Sequence, residues 1–381
     1  MRQMARVAFI MEQTLGHVTH ARNLSTVLAE RPDLDAEWLP IPFDVDGFAR
    51  LLPYYRGNWS VRASWRARRA LDAALTRGPL DGLMFHTQCT ALFSVDRMRR
   101  TPAVISLDAT PLNFDHVSRI GGYTHRPAGQ SFLDRQKYLM NRRAFQAAAA
   151  LVPWSEWARR SLIDDYGADA DRIRVLAPGA GDGFFALGQR RLEQQPIEAR
   201  PGGPVRILFV GGDWTRKGGQ VLLEALAGLP SGSWHLDVVT REHVPAAPGV
   251  TVHHGVGPNS PELLRLFADA DLFVLPSLGE CLAVVLMEAT AASLPVITTD
   301  VGALAEAVRP SETGLIVPPK DVSALRQALD ALLHDPARRR AMGRAGHALA
   351  RTLFDARANN HALLDLVAEH VRLGARPGRA A

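Results

Sequence analysis

The chain has 381 residues, which is enough material for two or three domains of ordinary size. Its hydrophobic fraction of 47% and charged fraction of 22% are typical of a folded protein, and they exclude a disordered, collagen-like or coiled-coil chain. The net charge of +5 comes from 44 basic and 39 acidic residues, an excess too small to predict a nucleic-acid partner.

Three further features bear on location. No apolar run reaches the roughly 18 residues that would cross a bilayer. The two cysteines are too few for a disulfide framework, and no apolar leader segment follows Met1. A cytoplasmic location is therefore expected.

Short apolar runs rich in β-branched residues alternate with longer amphipathic segments, which is the pattern of βαβ units and parallel sheets. In the first half the predicted strands are Arg6 to Met11, Ala36 to Ile41, Leu83 to His86, Ala103 to Leu107, Ala149 to Pro153 and Ile173 to Leu176. In the second half they are Val205 to Val210, Leu236 to Val239, Thr251 to His253, Leu272 to Leu275, Val296 to Thr299 and Leu315 to Val317. The predicted fold is α/β, with two Rossmann-like doubly wound parallel-sheet domains.

A polar segment with several Pro and Gly residues, 188–204, separates the two sets of strands and is predicted to be a linker. The first domain is then 1–187 and the second 205–359. A long helical pattern covers Pro336 to Leu373, and its last part, 360–373, is expected to pack back on the first domain. Because doubly wound sheets bind ligands at the carboxyl ends of their strands, functional residues are expected in the loops there, on either side of a cleft between the domains.

Two glutamates follow the predicted strand Leu272 to Leu275. Glu280 lies in the loop, and Glu288 follows eight positions later, beyond the predicted start of a helix. Carboxylates suit hydroxyl-rich ligands, and backbone N–H groups at a helix start suit phosphate. Two surface glutamates of no functional consequence are the alternative interpretation.

A glycine-containing loop, Gly211 to Gly219, follows the strand Val205 to Val210 and precedes an amphipathic helix. Glycines allow the backbone to approach a ligand, and Arg216 and Lys217 place two cations where a diphosphate would be bound. The loop contains no G-x-G-x-x-G, so a nicotinamide cofactor is disfavoured. A solvated turn is the alternative.

The combination resembles the family 4 glycosyltransferases, which are retaining enzymes of the GT-B fold. The resemblance rests on the Glu280-x7-Glu288 pair, on FVGGDWTRKGGQVLLEAL, on ADADLFVLPS and LPVITTDVGALAEAV, and on LAPGAGDGFF near the end of the first domain. It implies transfer of a sugar from a nucleotide diphosphate sugar to a hydroxyl acceptor, a lipid or a glycan. In such enzymes the acceptor is thought to attack on the face of the leaving group, so no carboxylate nucleophile is expected.

The resemblance also implies roles for individual residues. Glu280 would contact the hydroxyls of the donor sugar, Glu288 the ribose diol, and Arg216 with Lys217 the diphosphate leaving group. Two departures stand out. Many relatives have an arginine where this chain has Gly212, so Arg216 is expected to supply that charge. The loop between the two glutamates commonly reads Gly-Phe-Gly in the family, whereas this chain has Cys281, Leu282 and Ala283. The expected donor-binding residues are Gly211, Gly212, Arg216, Lys217, Glu280, Cys281, Leu282, Ala283 and Glu288.

The first domain is expected to bind the acceptor. Gly16 and His17 lie in a segment that resembles the family's glycine-containing loop after the first strand, and His86 ends a later strand. Asp108 stands where many relatives have a functional histidine, so a catalytic role is expected for it beside Glu280, Arg216 and Lys217. Surface histidines at a helix start, and a turn or capping role for Asp108, are the alternatives.

Three D-x-D pairs occur, Asp44/Asp46, Asp169/Asp171 and Asp269/Asp271, a pattern that holds a metal in another glycosyltransferase fold. Their number and their places beside helix or strand boundaries favour caps and turns. No metal and no cofactor is expected.

Basic and aromatic residues are interleaved over 54–69, with Arg62, Arg66 and Arg69 on one face of a helix predicted to begin near Ser60. Such a segment could contact an anionic membrane surface, which would place the protein at the inner face of the membrane. An ordinary helix with Trp65 in the core is the alternative. For the whole chain, the alternatives to a transferase are a nucleotide-sugar epimerase or sugar phosphorylase of the same fold, and a non-catalytic nucleotide-sugar-binding protein.

Overall fold

The computed structural model of the protein describes residues 4–14, 16–43, 58–121, 131–193 and 203–374. These residues form two compact units. The first unit takes its residues from Met1–Asp115, Arg126–Ala177 and Arg357–Ala381, and the second from His116–His125 and Pro178–Ala356.

A five-stranded parallel sheet forms the centre of the first unit, in the strand order β2-β1-β3-β4-β5. Its strands are β1 (Ala5–Gln13), β2 (Leu34–Pro42), β3 (Gly82–His86), β4 (Ala103–Leu107) and β5 (Ala150–Pro153). Its helices are α1 (His17–Leu28), α2 (Trp59–Thr76), the short α3 (Gln88–Ala91) and α4 (Val95–Met98), α5 (Pro111–Gly121), α6 (Phe132–Ala147) and α7 (Glu156–Asp164). The second half of α5 is grouped with the second unit.

Helices cover both faces of this sheet, as expected for buried parallel strands. On one face α2 packs through Ala63, Ala67 and Leu71 against strand residues such as Ile10 and Phe85. The other face carries α1 and the last helix of the chain, α14 (Ala356–Gly374), which contributes Leu364 and Val367. The C-terminal helix therefore completes the core of the first unit.

Polar residues start several of these helices. The Asn58 side chain accepts a hydrogen bond from the Val61 amide at the start of α2, and Ser131 with Asp134 forms a reciprocal capping box at the start of α6. These side chains satisfy amides that have no partner within the helix.

A six-stranded parallel sheet forms the second unit, in the strand order β11-β10-β9-β6-β7-β8. Its strands are β6 (Val205–Val210), β7 (Trp234–Val239), β8 (Val250–His253), β9 (Leu272–Leu275), β10 (Val296–Thr299) and β11 (Gly314–Val317). Its helices are α8 (Asp182–Glu193), α9 (Gly219–Leu226), α10 (Pro261–Asp269), α11 (Val284–Ala291), α12 (Val322–Leu333) and α13 (Pro336–Leu353). Both predicted doubly wound parallel sheets are confirmed.

The observed transition between the units differs from the predicted linker. The second unit begins at Pro178 and includes α8. This helix packs closely against α11 at Gly188, where a Cβ would lie only 2.1 Å from the Ala291 carbonyl oxygen. Arg191 on the same helix donates to the Ala268 and Ala270 carbonyl oxygens at 2.9 and 2.8 Å. The first part of the predicted linker is thus helical, and most of the remainder lies outside the described residues.

Two predicted elements also differ. Ile173 to Leu176 is not a strand: Ile173 forms one isolated bridge with Leu151, and the Leu176 amide donates to the Pro153 carbonyl. The predicted long helix from Pro336 is interrupted at Phe354, after which α14 begins. The pattern missed this break because apolar periodicity continues through it.

The basic segment is only partly a surface feature. Residues 54–57 lie outside the described part of the chain. Arg62 is buried, with its guanidinium 5.3 Å from the Phe43 ring centre and 5.1 Å from that of Trp59, so it does not belong to an exposed basic face. Trp65 is 45% exposed rather than part of the core. Among the described helices, none is both long and apolar enough to cross a membrane.

Candidate functional site

In the second unit the two loops singled out in the sequence lie at the point where the strand order reverses. Strand β6 is paired with β7 on one side and with β9 on the other, so the loops after β6 and β9 are neighbours. The Leu278 amide donates to the Arg216 carbonyl at 2.9 Å, which joins them directly. A switch point of this kind is where doubly wound sheets bind ligands.

Gly218 allows this close approach. It adopts a left-handed conformation with φ of +78°, and a Cβ there would lie 1.9 Å from the Pro276 carbonyl oxygen. Helix α9 starts directly afterwards, so the loop presents a helix N-terminus between the two strand ends.

Lys217 and Glu280 form an ion pair across the two loops. Both side chains are largely buried, with exposed fractions of 12 and 15%. Burial by itself would raise the pKa of Glu280, but Lys217 and then Arg216 oppose it, and the pKa lies below its usual value. Glu280 is therefore an ionised carboxylate.

Arg216 holds the two loops together. Its Nε donates to Asp213 Oδ2 at 2.9 Å, and its Nη1 donates to the Gly279 carbonyl at 2.6 Å and lies 3.4 Å from Glu280 Oε2. The guanidinium thus already has an acidic partner in its own loop and a carbonyl partner in the next.

Glu288 lies in the middle of α11 and is 5% exposed. Burial raises its pKa to about 8, and no nearby cation offsets that effect. The two glutamates therefore differ in charge state at neutral pH: Glu280 is ionised and Glu288 is protonated.

The segment between the glutamates is closely packed. Cys281, Leu282 and Ala283 are all buried. Gly302, with φ of +61°, lies against this segment, because a Cβ there would be 2.1 Å from the Glu280 carbonyl oxygen. The Ala303 amide donates to the Cys281 carbonyl at 2.7 Å. A ligand contact from Cys281 to Ala283 would therefore involve mainly backbone atoms.

In the first unit a cluster of histidines lies at the carboxyl end of the sheet. His17 starts α1 beside Gly16, and its Nδ1 lies 2.8 Å from Nε2 of His86 at the end of β3. The other ring nitrogen of His17 is 3.8 Å from Asp108 Oδ2. The structure thus brings together the three side chains, His17, His86 and Asp108, that the sequence placed in different loops.

His86 differs from the prediction that it contacts an acceptor. Its side chain is fully buried, its ring is stacked 5.4 Å from Trp154, and burial followed by the charges of His17 and His20 lowers its pKa. A neutral buried imidazole can hold the His17 ring in place through the hydrogen bond between them.

Two further residues of this region, His20 and Glu12, are buried beside the predicted ones, although neither is among the predicted site residues. His20 is buried against His86 and Trp154, and burial together with the charge of His17 lowers its pKa to about 3. Glu12 is also buried, and it accepts hydrogen bonds from Trp59 Nε1 at 2.6 Å and Thr87 Oγ1 at 2.5 Å. Glu12 lies near the end of β1 and His20 in the first turn of α1. Their position at the carboxyl end of a strand is the sequence signal that could have identified them.

Two of the D-x-D pairs have structural partners. Asp169 accepts from the Asp171 amide at 3.0 Å in a short turn. Asp271 accepts from the Arg206 amide at 2.8 Å. The third pair, Asp44 and Asp46, lies outside the described residues. In the part of the chain that the structure describes, no group of three metal-ligating side chains is placed to hold a metal ion.

Comparison with solved structures places the fold in the GT-B class. Sucrose-phosphate synthase from Thermosynechococcus elongatus matches with a TM-score of 0.74 at 19% identity, covering 97% of this chain and 100% of that one. Anabaena HepE in complex with UDP matches with a TM-score of 0.67 at 14% identity, covering 96% of this chain and 100% of that one. At these identities the likeness concerns the fold alone.

Sequence comparison identifies the family. Residues 204–335 match the profile described as "Glycosyl transferases group 1", and residues 17–179 match the "Glycosyl transferase 4-like domain". The chain belongs to the group 1 glycosyltransferases of the GT-B fold.

The curated relatives include D-inositol 3-phosphate glycosyltransferases. The one from Arthrobacter sp. (strain FB24) is 32% identical over 219 residues, which are 53% of this chain and 52% of the relative. The one from Corynebacterium diphtheriae is 30% identical over 288 residues, which are 67% of this chain and 66% of the relative. The chain spans about half the length of the first of these relatives.

Proposed function

We propose that the protein is a cytoplasmic, retaining glycosyltransferase that moves a sugar from a nucleotide diphosphate sugar to a hydroxyl acceptor. The observation that carries this proposal is the joining of the Gly211–Gly219 loop to the Glu280 loop through Lys217 and Arg216. It combines a helix N-terminus, two cations and an ionised carboxylate at the switch point of a doubly wound sheet. Family membership supports the same reaction class.

On the donor side, the proposed chemistry is departure of a nucleoside diphosphate from the anomeric carbon. Negative charge grows on the diphosphate as the bond breaks, and fixed cations and backbone N–H groups stabilise that charge. Lys217 is the cation proposed to turn from Glu280 toward the phosphate. Glu280, once released, can accept hydrogen bonds from sugar hydroxyls, and Glu288 from the ribose diol.

On the acceptor side, Gly16, His17 and Asp108 are proposed to bind and orient the nucleophilic hydroxyl. The His17 ring lies between the buried His86 imidazole and the Asp108 carboxylate, and these two neighbours are proposed to orient it toward the acceptor hydroxyl. The proposed route gives retention because the acceptor attacks from the side of the leaving group, where a phosphate oxygen receives its proton. No enzyme carboxylate then has to form a bond to the sugar.

The proposal requires no metal, because Lys and Arg side chains supply the charge that a metal would supply. Chelation by EDTA should therefore leave turnover unchanged. An activity that EDTA abolishes and Mg²⁺ or Mn²⁺ restores would contradict this part of the proposal.

Release of nucleoside diphosphate from UDP-, GDP- and ADP-sugars tests the function. UDP-glucose is the first donor to include, because UDP-glucose is the ligand in a complex of Anabaena HepE. The acceptors should include D-inositol 3-phosphate, after the name of the curated relatives, together with lipid and small-glycan mixtures. The anomeric configuration of the product distinguishes retention from inversion.

Four outcomes are informative. Consumption of one donor only when an acceptor is present, and its loss in Lys217→Ala and Glu288→Ala, would support transfer. Donor isomerisation without an acceptor would indicate an epimerase, and a strict requirement for inorganic phosphate would indicate a phosphorylase. Binding of donors with no consumption under any condition would indicate a binding protein.

A further inference from the structure

In the loop after β6, Gly212 leaves a space beside the backbone that the side chain of another residue occupies. A Cβ at Gly212 would lie 2.9 Å from Nε and 3.0 Å from Nη2 of Arg241. Arg241 follows β7, the strand paired with β6, and the two strands end in register at Val210 and Val239. The guanidinium of Arg241 therefore fills the side-chain space of Gly212.

This position is fixed by neighbouring hydrogen bonds. Glu242, the residue after Arg241, accepts from the Trp214 amide at 3.0 Å and from the Thr215 amide at 3.4 Å. The Gly211 amide donates to the Val239 carbonyl at 2.9 Å. The start of the loop after β7 is thereby attached to the glycine loop at Val239 and at Glu242, with Arg241 between the two attachments.

The charges in this region are unequally satisfied. Arg216 is paired with Asp213, and Lys217 is paired with Glu280, so two cations face two carboxylates. Arg241 is exposed, and no residue in the described ranges forms an ion pair or hydrogen bond with its side chain. Its charge can therefore be offered to an anion without breaking an existing pair.

We propose that Arg241 is a further cation, beside Lys217, that binds the phosphate groups of the nucleotide donor at the Gly211–Gly219 loop. The inference rests on the proposed function, and it deepens it by adding a phosphate contact from the loop after β7. A guanidinium can bind phosphate oxygens through two parallel hydrogen bonds, which suits the edge of a loop whose amides already favour anions. A glycine at position 212 then leaves room for the guanidinium of Arg241.

The test compares nucleotide affinity across four proteins by calorimetry: the intact chain, Arg241→Ala, Arg241→Gln and Arg265→Ala. Arg265 is a matched control, because it is an exposed arginine of the same unit, 3.7 Å from Asp269 in α10. The probes are UDP, GDP and ADP, the corresponding nucleosides, and inorganic pyrophosphate. For the diphosphate that the intact chain binds, we expect both Arg241 variants to lose about 10- to 100-fold in affinity.

The same variants should bind the nucleoside as the intact chain does, and Arg265→Ala should match the intact chain for every probe. A second arm places the charge back: Gly212→Arg in the Arg241→Ala background should recover part of the lost diphosphate affinity, since the space at position 212 is then open. A structural role for Arg241 would instead weaken nucleoside and diphosphate binding alike.

The failures are distinguishable. If the intact chain binds a diphosphate and both Arg241 variants bind it equally well, the inference is overturned while the proposed function stands. If Arg241 variants lose nucleoside and diphosphate affinity in the same proportion, the phosphate assignment is overturned. If the intact chain binds none of the probes, the proposed donor site is wrong and the inference falls with it.

Discussion

Lys217 and Glu280 are sixty-three residues apart in the chain, and they form an ion pair between the loops that follow β6 and β9. Neither side chain of this largely buried pair can leave the other without a large cost in free energy, because a buried charge without a partner is destabilising. The pair therefore has a structural role before any ligand binds, and a ligand that recruits Lys217 must also offer Glu280 new partners. A sugar with several hydroxyl groups offers such partners.

Removing one member of this pair is expected to lower stability. Lys217→Met should reduce the free energy of unfolding by about 3 kcal/mol, since the buried Glu280 carboxylate would lose its ion-pair partner and the guanidinium of Arg216 is 3.4 Å away. Urea denaturation followed by circular dichroism measures this. The double variant Lys217→Met/Glu280→Gln removes both charges, so it should be more stable than Lys217→Met alone. Equal stability of the single and double variants would contradict the prediction.

Glu288 should make stability depend on pH. Its pKa is raised to about 8 by burial, whereas an unfolded glutamate has a pKa near 4.5. The folded state therefore holds a proton that the unfolded state has lost, so stability is greatest below pH 4.5 and falls as pH rises toward 8, by up to roughly 1.4 kcal/mol per pH unit.

The comparison with Glu288→Gln isolates this effect, because glutamine does not titrate. The difference in unfolding free energy between the two proteins should grow from pH 5 to pH 8 in favour of the variant and then level off. Parallel pH profiles for the two proteins would refute the assignment.

Nucleotide affinity should show the opposite trend if the ionised form of Glu288 binds the ribose diol. Binding then releases a proton, so affinity rises with pH up to about 8. The effect is measured as the dissociation constant for the preferred nucleoside diphosphate between pH 6 and 9. Glu288→Gln should bind more weakly and with a flat profile over that range, and a pH-dependent profile in this variant would point to another titrating group.

His17 and Asp108 of the first unit should affect turnover rather than donor binding. His17→Gln and Asp108→Asn are each expected to lower turnover about 100-fold while leaving nucleoside diphosphate affinity unchanged, because they belong to the proposed acceptor site. Initial rates at saturating donor, together with calorimetry, separate the two effects. Ser25→Ala, an exposed change on the same helix, serves as the control. A loss of nucleotide affinity in either variant would count against the division of roles.

Gly302 should be less tolerant of substitution than another glycine with a similar backbone conformation. Gly302→Ala combines left-handed strain with a Cβ 2.1 Å from the Glu280 carbonyl oxygen, whereas Gly167, with φ of +64°, has no atom within 4 Å. We expect Gly167→Ala to cost about 1 kcal/mol and Gly302→Ala about 3 kcal/mol or more. Thermal unfolding of the two variants measures the difference, and similar losses would show that the close contact relaxes easily.

The sheets were largely predictable from the sequence. Val205–Val210 and Val296–Thr299 match their predicted bounds, because apolar runs ended by Gly, Pro or Asp leave few alternatives. Ile173 to Leu176 has the same composition, yet it forms one bridge only. Apolar composition specifies burial, and pairing along a strand needs a neighbour in register, which a single segment does not reveal.

Individual residues of the candidate site were predictable from the sequence, but the contacts between their side chains were not. The sequence predicts Arg216 and Lys217 as two cations for a diphosphate, and it does not predict the acidic partner that the structure gives to each of them. Arg241 could not be predicted as a site residue, because its relation to Gly212 depends on β6 and β7 being adjacent. The burial of Arg62 likewise depends on Phe43 at the end of β2, a contact between elements.

The position of α14 has a consequence for the order in which the protein acquires its structure during synthesis. Val7, Phe9 and Met84 of the first sheet are covered partly by Leu364 and Val367, which leave the ribosome after the whole second unit. The first strands to be made therefore wait for the last helix, while the second unit has all its strands available earlier. During synthesis the first unit therefore completes its folding after the second, although folding usually proceeds from the amino terminus onward.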